Sequence, residues 1–217
     1  MFVSDWMTRK VSTVTPEDSV SSAMTIMRER NINHLPVVKG EKVAGIVSDR
    51  DIKEYAPSKA TTLDVYELHY LLDKAKIREI MKKDVTTVSA ETPIEEAAMI
   101  MHDRDIGCLP VVSGDRLVGI ISDKDMYRIL VDITGVRKGG HRINLTVEDR
   151  PGSIKEVADI IRKHGFGLLS ILTSYEGMDP GYRKIVIRAR IDKSDDFEGM
   201  KKDLTDQYKN IEIKRAV

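Results

Sequence analysis

HLPVVKGEKVAGIVSDRD, residues 34–51, returns 74 positions later as CLPVVSGDRLVGIISDKD, residues 108–125. The same offset lays Met7 on Met81, Val11 on Val85, Ala23 on Ala97 and Met27 on Met101, and roughly 20 of about 50 aligned pairs are identical. A self-match of that density over a supersecondary length means two copies of one unit. Such copies bury a shared apolar face against each other.

Within each copy the hydrophobic period switches in the same order. VSTVT (11–15) and VTTVS (85–89) alternate at period two, as short strands do, and PEDSVSSAMTIMRER (16–30) and ETPIEEAAMIMHDR (91–104) then carry apolar residues at helical spacing. HLPVV and CLPVV follow, then turns at KGEK (39–42) and SGDR (113–116), then VAGIVS (43–48) and LVGIIS (117–122). These are hairpins whose near-continuous apolar composition implies burial on both faces. A short helix follows each, at Asp49–Tyr55 and Asp123–Val131. The methionines Met24, Met27, Met99 and Met101 sit at helical spacing and are expected to fill the core.

Residues 56–76 between the copies are opened by Pro57 and then mildly helical, and are expected to form a linker helix whose Tyr66, Leu68, Tyr70, Leu71 and Leu72 cover the core edge. After the Gly-rich joint TGVRKGGH (134–141) the pattern changes. Strand 142–149, helix 153–165, strand 168–176, strand 183–192, helix 195–208 and strand 211–217 give the order βαββαβ. Right-handed crossovers then produce a four-stranded antiparallel sheet with two helices on one face, the ferredoxin-like arrangement. Alternation of Arg188 and Arg190 with apolar residues leaves the other sheet face wet or paired.

Composition excludes several classes. The 217 residues are 41% hydrophobic and 32% charged, which indicates a soluble globular protein of one or two domains. Lys+Arg and Asp+Glu are both 35, and the part after residue 140 holds 15 basic and 13 acidic residues, so neither half shows the basic excess of a nucleic-acid or membrane-surface binder. The single Cys108 excludes an intramolecular disulfide and fits a reducing compartment, with the cytoplasm as the expected location. MFVSDWMTRK has an acid among its apolar residues and no long apolar run behind it, so no signal peptide or membrane span is expected.

The chemistry-bearing element is Gly-Ile-x-Ser-Asp-x-Asp, present at 45–51 and 119–125. Ser48 and Ser122 stand at a helix start, where free N–H groups suit an anion. Asp51 and Asp125, three residues on, can accept from two adjacent hydroxyls, as a ribose offers, each charge-assisted bond being worth about 1.5–3 kcal/mol. Gly45 and Gly119 let a flat base approach the strand. Ser-x-x-Asp also has the spacing of a capping box, which needs no ligand.

These segments closely resemble a tandem CBS pair, or Bateman module, over residues 1–133: Met-x-x-x-Val-x-Thr-Val, Pro-Val-Val and Gly-Ile-x-Ser-x-x-Asp each occur twice. VEDRPGSI (147–154) with its βαββαβ sequel looks like an ACT domain. Two CBS motifs followed by one ACT at this length are similar to the AcuB-type acetoin-utilisation family. The fold class so implied is α/β (α+β), a tandem CBS-domain pair followed by a ferredoxin-like ACT domain. The boundaries are CBS repeat 1 at 1–55, linker helix at 56–76, CBS repeat 2 at 77–133 and ACT at 141–217.

The resemblance implies a non-enzymatic regulator that binds AMP, ADP, ATP, S-adenosylmethionine or NAD in clefts drawing on both repeats. Asp51 and Asp125 would hold ribose hydroxyls, Ser48 and Ser122 would face phosphate or ribose, and Ile46 and Ile120 would flank adenine. Backbone near Val11 and Val85, and near Ile32 and Ile106, would read the base edge. Before the Leu-Pro step the first copy offers Asn33-His34 and the second Gly107-Cys108, so the two clefts are not equivalent. His34 either tolerates phosphate on its side or is packing. Asp149 and Gly152 would hold a small amino acid in the ACT domain, or Gly152 is only a tight turn. A homodimer and an unknown regulated protein are the implied partners, with no nucleic acid and no membrane.

Other constellations fail. Cys108 has no metal-spaced partner, the five histidines make no H-x₃-H pattern, and neither a Walker loop nor G-x-S-x-G occurs. The repeated acids have no base or nucleophile beside them, which disfavours a nucleotide-processing enzyme. A protein-interaction scaffold with unoccupied clefts is the remaining alternative.

Overall fold

The computed structural model describes residues 1–55, 65–191, 196–208 and 210–215, with backbone alone at 65–69 and 215. The expected linker stretch 56–64, the first residue of the expected last helix and residues 216–217 of the expected last strand lie outside the described residues. The chain divides into two compact units, Met1–Met126 and Tyr127–Val217.

In the first unit, repeat 1 runs α1 (Val3–Trp6), α2 (Val20–Arg30), β1 (His34–Lys39), β2 (Lys42–Ser48) and α3 (Asp49–Tyr55). After α4 (Val65–Lys74), repeat 2 runs α5 (Ile77–Ile80), α6 (Ile94–Asp103), β3 (Cys108–Ser113), β4 (Arg116–Ser122) and α7 (Asp123–Ile133), which carries the unit boundary. Helices α2 and α6 start later than their apolar spacing suggests. Ser19 caps α2 by accepting from the Ser22 amide at 3.1 Å, and Pro93, its repeat mate, stands at the same place before α6. Their buried faces are Val20, Ala23 and Met27, and Ile94, Ala97 and Met101. Met24 and Met99 are not core: they are 40% and 56% exposed, because they fall on the outer stripe of their helices.

VSTVT and VTTVS do not form ladders. Each touches its own hairpin through one parallel bridge, Val14 to Val37 and Val88 to Val111. The hairpins give one sheet in the order β1-β2-β4-β3. Burial on both faces holds only for part of each hairpin: in β2 and β4, Val47 and Ile121 are buried whereas Ile46 and Ile120 are only half-covered. In α4, Leu72 joins the core together with Ala75 after the helix, while Tyr70 and Leu71 face solvent. The side chains of Tyr66 and Leu68 lie outside the described residues.

The two hairpins meet at one register pair, Lys42 with Arg116, so the sheet alone holds the copies together weakly. The stronger link is an exchange. Thr8, in the leading segment of repeat 1, pairs with Ile120 of repeat 2 through amide bonds of 2.9 and 3.0 Å, and Lys82, in the leading segment of repeat 2, pairs with Ile46 of repeat 1 through two bonds of 2.9 Å. The two motif glycines have a packing reason here. A Cβ at Gly119 would stand 2.5 Å from Met7 Sδ, and one at Gly45 would stand 2.9 Å from Met81 Sδ and 3.0 Å from the Lys82 carbonyl. His34 and Gly107 interlock in the same way, a Gly107 Cβ meeting His34 Cε1 at 2.9 Å.

The second unit contains a single 3₁₀ turn (Val136–Lys138), then β5 (His141–Glu148), α8 (Ser153–Lys163), β6 (Gly167–Ser174), β7 (Tyr182–Arg190), α9 (Phe197–Gln207) and β8 (Glu212–Arg215). The sheet order is β6-β7-β5-β8 with every neighbour antiparallel, which is the expected ferredoxin-like topology. Val157 and Ile161 of α8 and Met200 and Leu204 of α9 cover Ile143, Leu145, Ile185 and Ile187 on one face. The other face is not simply wet. Arg188 is 6% exposed because its Nε and Nη1 donate to the carbonyls of Thr134 and Gly139, at 2.9 and 3.3 Å, so the joint segment folds over it.

Two outcomes follow from this packing. Gly140 has φ +95°, and a Cβ there would lie 2.2 Å from the Ala189 carbonyl oxygen. Gly140→Ala is therefore expected to destabilise by at least about 1–3 kcal/mol, read as a lower denaturation midpoint; an unchanged midpoint would show that the strand pair relaxes freely. Burial lowers the His34 pKa below 6.5, against the raising effect of Asp123 and Asp51 and with the help of Lys124 and Lys82. The folded state thus disfavours the imidazolium. The His34 contribution is complete above pH 6.5 and is lost as pH falls toward the folded value. Thermal melts of His34→Gln between pH 7.5 and 5.5 should lose less stability than wild type, and parallel curves would rule this out.

Candidate functional site

Repetition places two like corners in the first unit. At the end of β4, Asp125 Oδ2 accepts from the Ser122 amide and hydroxyl, each at 2.9 Å. At the end of β2, Asp51 Oδ2 accepts from the Ser48 amide at 2.7 Å and hydroxyl at 2.5 Å, and Ser48 Oγ accepts from the Asp51 amide at 3.2 Å. Both corners form the cap that Ser-x-x-Asp permits. One oxygen of each carboxylate accepts at its own helix start. Asp51 Oδ1 lies 3.4 Å from Lys82 Nζ. Burial pushes the Asp51 carboxyl up, but the Ser48 donors and Lys82 outweigh it, and the group is held below its ordinary value.

Beside Asp125 lies a cavity of about 400 Å³, within the size range of small-molecule sites. Its walls come from both repeats. Repeat 1 contributes Thr8 and Val11 ahead of α2, and Ile32, Asn33 and His34 after it. Repeat 2 contributes Cys108, Ile120, Ser122 and Asp125. Asn31, in the left-handed region at φ 52°, turns the chain from α2 toward the wall, and Asp105 does the same after α6 at φ 50°. Ile120 is half-covered because it faces this space from β4.

The expected residues therefore separate by cleft. Val11, Ile32, Asn33, His34, Ile120, Ser122 and Asp125 line the cavity together. Ile46, Ser48 and Asp51 lie at the repeat-related corner beside Lys82. Val85 precedes the Val88 bridge, and Ile106 closes the end of α6 by donating to the Met101 carbonyl at 3.0 Å. The cavity also has residues that the motif did not point to: Lys10, Arg30 and Lys124 supply cations, with Lys124 Nζ donating to the Asn31 carbonyl at 3.3 Å. A difference between the copies signals Lys10 alone, since Arg30 is matched by Arg104 and Lys124 by Arg50. Offset by 74, Thr8 stands against Lys82 and Lys10 against Asp84. Cys108 offers no nucleophile, since burial and the nearby Asp123 charge push its thiol pKa up to about 12.

In the second unit, Gly152 precedes α8 at φ +90°, a backbone state that favours glycine without any ligand. Asp149 Oδ1 is 3.4 Å from Arg183 Nη1 and accepts from Tyr175 OH at 3.5 Å, and Arg183 Nη2 donates to the buried Ser153 Oγ at 2.8 Å. Among the described residues no group of three or more His, Cys, Asp or Glu is arranged to hold a metal, and no helix is long and apolar enough to cross a membrane.

The CBS domain family matches residues 3–58 and 77–132, more than half of the chain. An inosine-5'-monophosphate dehydrogenase from Korarchaeum cryptofilum is 39% identical over 120 residues, 55% of this chain and 22% of that enzyme. The chain spans about a quarter or less of the length of such curated relatives. The CBS domain pair of protein MJ0100, solved in complex with 5'-methylthioadenosine and S-adenosyl-L-methionine, is 29% identical with a TM-score of 0.50, covering 60% of this chain and 95% of that one. A protein from Vibrio cholerae assigned to acetoin utilization (AcuB) is 33% identical with a TM-score of 0.54, covering 64% of this chain and 96% of that one. With two CBS matches in register with the internal repeat, and an AcuB structure covered almost end to end, this chain belongs to the CBS-domain family as a tandem pair of the AcuB type.

Proposed function

We propose that the protein is a non-enzymatic sensor whose cavity between the CBS repeats binds an adenosine derivative. The observation that carries this is the cavity itself, which gathers hydrophobic walls, the carboxylates of Asp123 and Asp125 and cations from both repeats in about 400 Å³. Asp125 accepts from the ribose hydroxyls, Ile120 flanks the adenine, and backbone near Val11 and Ile32 reads its edge. Ser122, Asn33 and His34 stand toward the phosphate, and Lys10, Arg30 and Lys124 favour AMP, ADP or ATP over S-adenosylmethionine, which carries no phosphate, with NAD a further candidate. The adenosine compounds held by the MJ0100 pair support the nucleoside class.

Binding energy then acts as the signal. Ligand that prefers one placement of the two repeats shifts that placement, with coupling of about 1–3 kcal/mol to a partner site. On this reading residues 141–217 are an ACT domain that pairs with a second copy or takes a small amino acid near Asp149 and Gly152; the sheet order leaves β6 and β8 at its edges. A homodimer, a cytoplasmic location, and a regulated partner in acetoin or acetate metabolism complete the proposal, the last suggested by the AcuB likeness. The cap bonds of Asp51 and Asp125 favour a second function, an interaction scaffold in which those carboxylates serve only their helix starts.

A thermal-shift series separates the two. Ligand at about 100 times its Kd should stabilise the fold by about 2.7 kcal/mol, a rise of several degrees that Asp125→Ala abolishes; no shift with AMP, ADP, ATP, S-adenosylmethionine or NAD would favour the scaffold. Calorimetry on His34→Ala should weaken AMP by about tenfold or more, in line with a charge-assisted bond, and adenosine much less. Equal, unchanged affinities would make His34 packing only. Turnover of ATP with magnesium, lost in Asp125→Ala, would overturn the non-enzymatic assignment.

A further inference from the structure

The half-buried ring of His34 has no equivalent in the second copy, where Cys108 stands at the same offset. A second difference builds its seat. Gly107, the offset mate of Asn33, has no side chain, and a Cβ there would meet His34 Cε1 at 2.9 Å and Nε2 at 3.2 Å, with Asp123 Oδ2 at 3.8 Å. Gly107 does not have the positive φ that would itself call for glycine, so the room it leaves is used by the imidazole. The ring is thereby fixed in the cavity wall that also holds Lys10 and Arg30. Charged groups reach it from three further elements: Asp123, Asp125 and Lys124 on α7, Asp51 on α3, and Lys82 in the leading segment of repeat 2. Burial outweighs the acids and keeps the ring neutral at pH 7. Cys108 in the same wall does not titrate near neutrality, its thiol being pushed up to about 12.

We infer that the ligand phosphate enters the cavity together with one proton, which settles on the His34 ring, so that phosphorylated nucleosides bind more tightly as pH falls toward neutrality while bare nucleosides bind independently of pH. His34 is thus the residue that ties phosphate specificity to proton uptake, and the inference rests on the sensor function proposed above. A nucleoside monophosphate carries about −1.5 to −2 charges near pH 7, and an anion within hydrogen-bond reach favours the charged form of an imidazole. Lysine and arginine carry fixed charge in this range, so an arriving phosphate cannot add to theirs, whereas it can charge a histidine. The proton comes from bulk water, bonds to the ring nitrogen, and turns it into a donor for a charge-assisted bond to a phosphate oxygen. Adenosine brings no charge. Covering the ring with it only deepens the burial, and a ring already neutral has no proton to lose.

Calorimetry on the full chain at pH 7.5, with AMP and adenosine each titrated in two buffers of different ionisation enthalpy, counts the protons. AMP should take up about half to one proton and adenosine about none, and the AMP dissociation constant should rise up to about tenfold between pH 7 and pH 8. His34→Gln cannot be charged, and should bind AMP with no uptake and a flat pH profile. In wild type, the ring carbon signals of His34 should move to the imidazolium position with AMP and stay at the neutral position with adenosine, a readout that needs no variant. AMP binding without proton uptake, equal uptake with adenosine, a ring signal that stays neutral, or uptake retained in His34→Gln would each overturn the inference and leave the sensor function standing. Binding of adenosine where AMP does not bind would do the same. Absence of binding by AMP, ADP, ATP, adenosine, S-adenosylmethionine and NAD alike would overturn both.

Discussion

The first unit depends on an exchange of chain between its copies. Met7 lies over Gly119 and Met81 over Gly45, and the residues that follow, Thr8 and Lys82, close paired amide bonds with the opposite motif strand. Each bond is worth about 0.5–1.5 kcal/mol net, yet its main effect is placement. Each motif strand thus pairs along one side with its own hairpin and meets the leading segment of the opposite copy at its isoleucine. The glycine is required by a methionine sulfur and a backbone approach, which leaves the chemistry of the motif to its serine and aspartate.

That same exchange sets the electrostatics. Asp125 sits in a wall that includes Lys10, Arg30 and Lys124, whereas Asp51 faces a lysine delivered by the leading segment of repeat 2. His34 stands between the two, sensing Asp123 and Asp51 as well as Lys124 and Lys82, and burial keeps it neutral near pH 7. A duplicated scaffold thereby carries two like corners whose leading segments differ, Thr8 and Lys10 in one copy against Lys82 and Asp84 in the other. In the second unit the comparable constraint is Gly140, whose α-carbon passes the Ala189 carbonyl so closely that the joint segment can fold back and satisfy Arg188.

Much of the fold was legible because its signals are local. Near-continuous apolar runs in LPVV and VAGIVS, helical spacing in the segments ending at Arg30 and Asp103, and the βαββαβ order each follow from which faces a residue buries. The errors lie where neighbours decide. Met24 and Met99 have the spacing of core residues, but the stripe that faces the sheet is set by packing. VSTVT alternates like a strand and finds only one bridge, from Val14 to Val37 at the outer edge of β1. Arg188 falls on the face expected to be wet and is covered by a loop whose return no periodicity encodes.

By itself the sequence determined the duplication, the element types, and which residue kinds recur at each corner, since these are properties of spacing along the chain. It placed Asp125, Ser122, Ile120, Ile32 and His34 among the site residues without showing that they share one cavity while Asp51, Ser48 and Ile46 belong to another corner. Only the tertiary structure decided that division, and with it the roles of Thr8, Lys10 and Lys82. The physical reason is that a cleft between repeats is built from segments about 75 to 115 residues apart in sequence, and charge acts through space at a few ångströms, a distance that only packing sets.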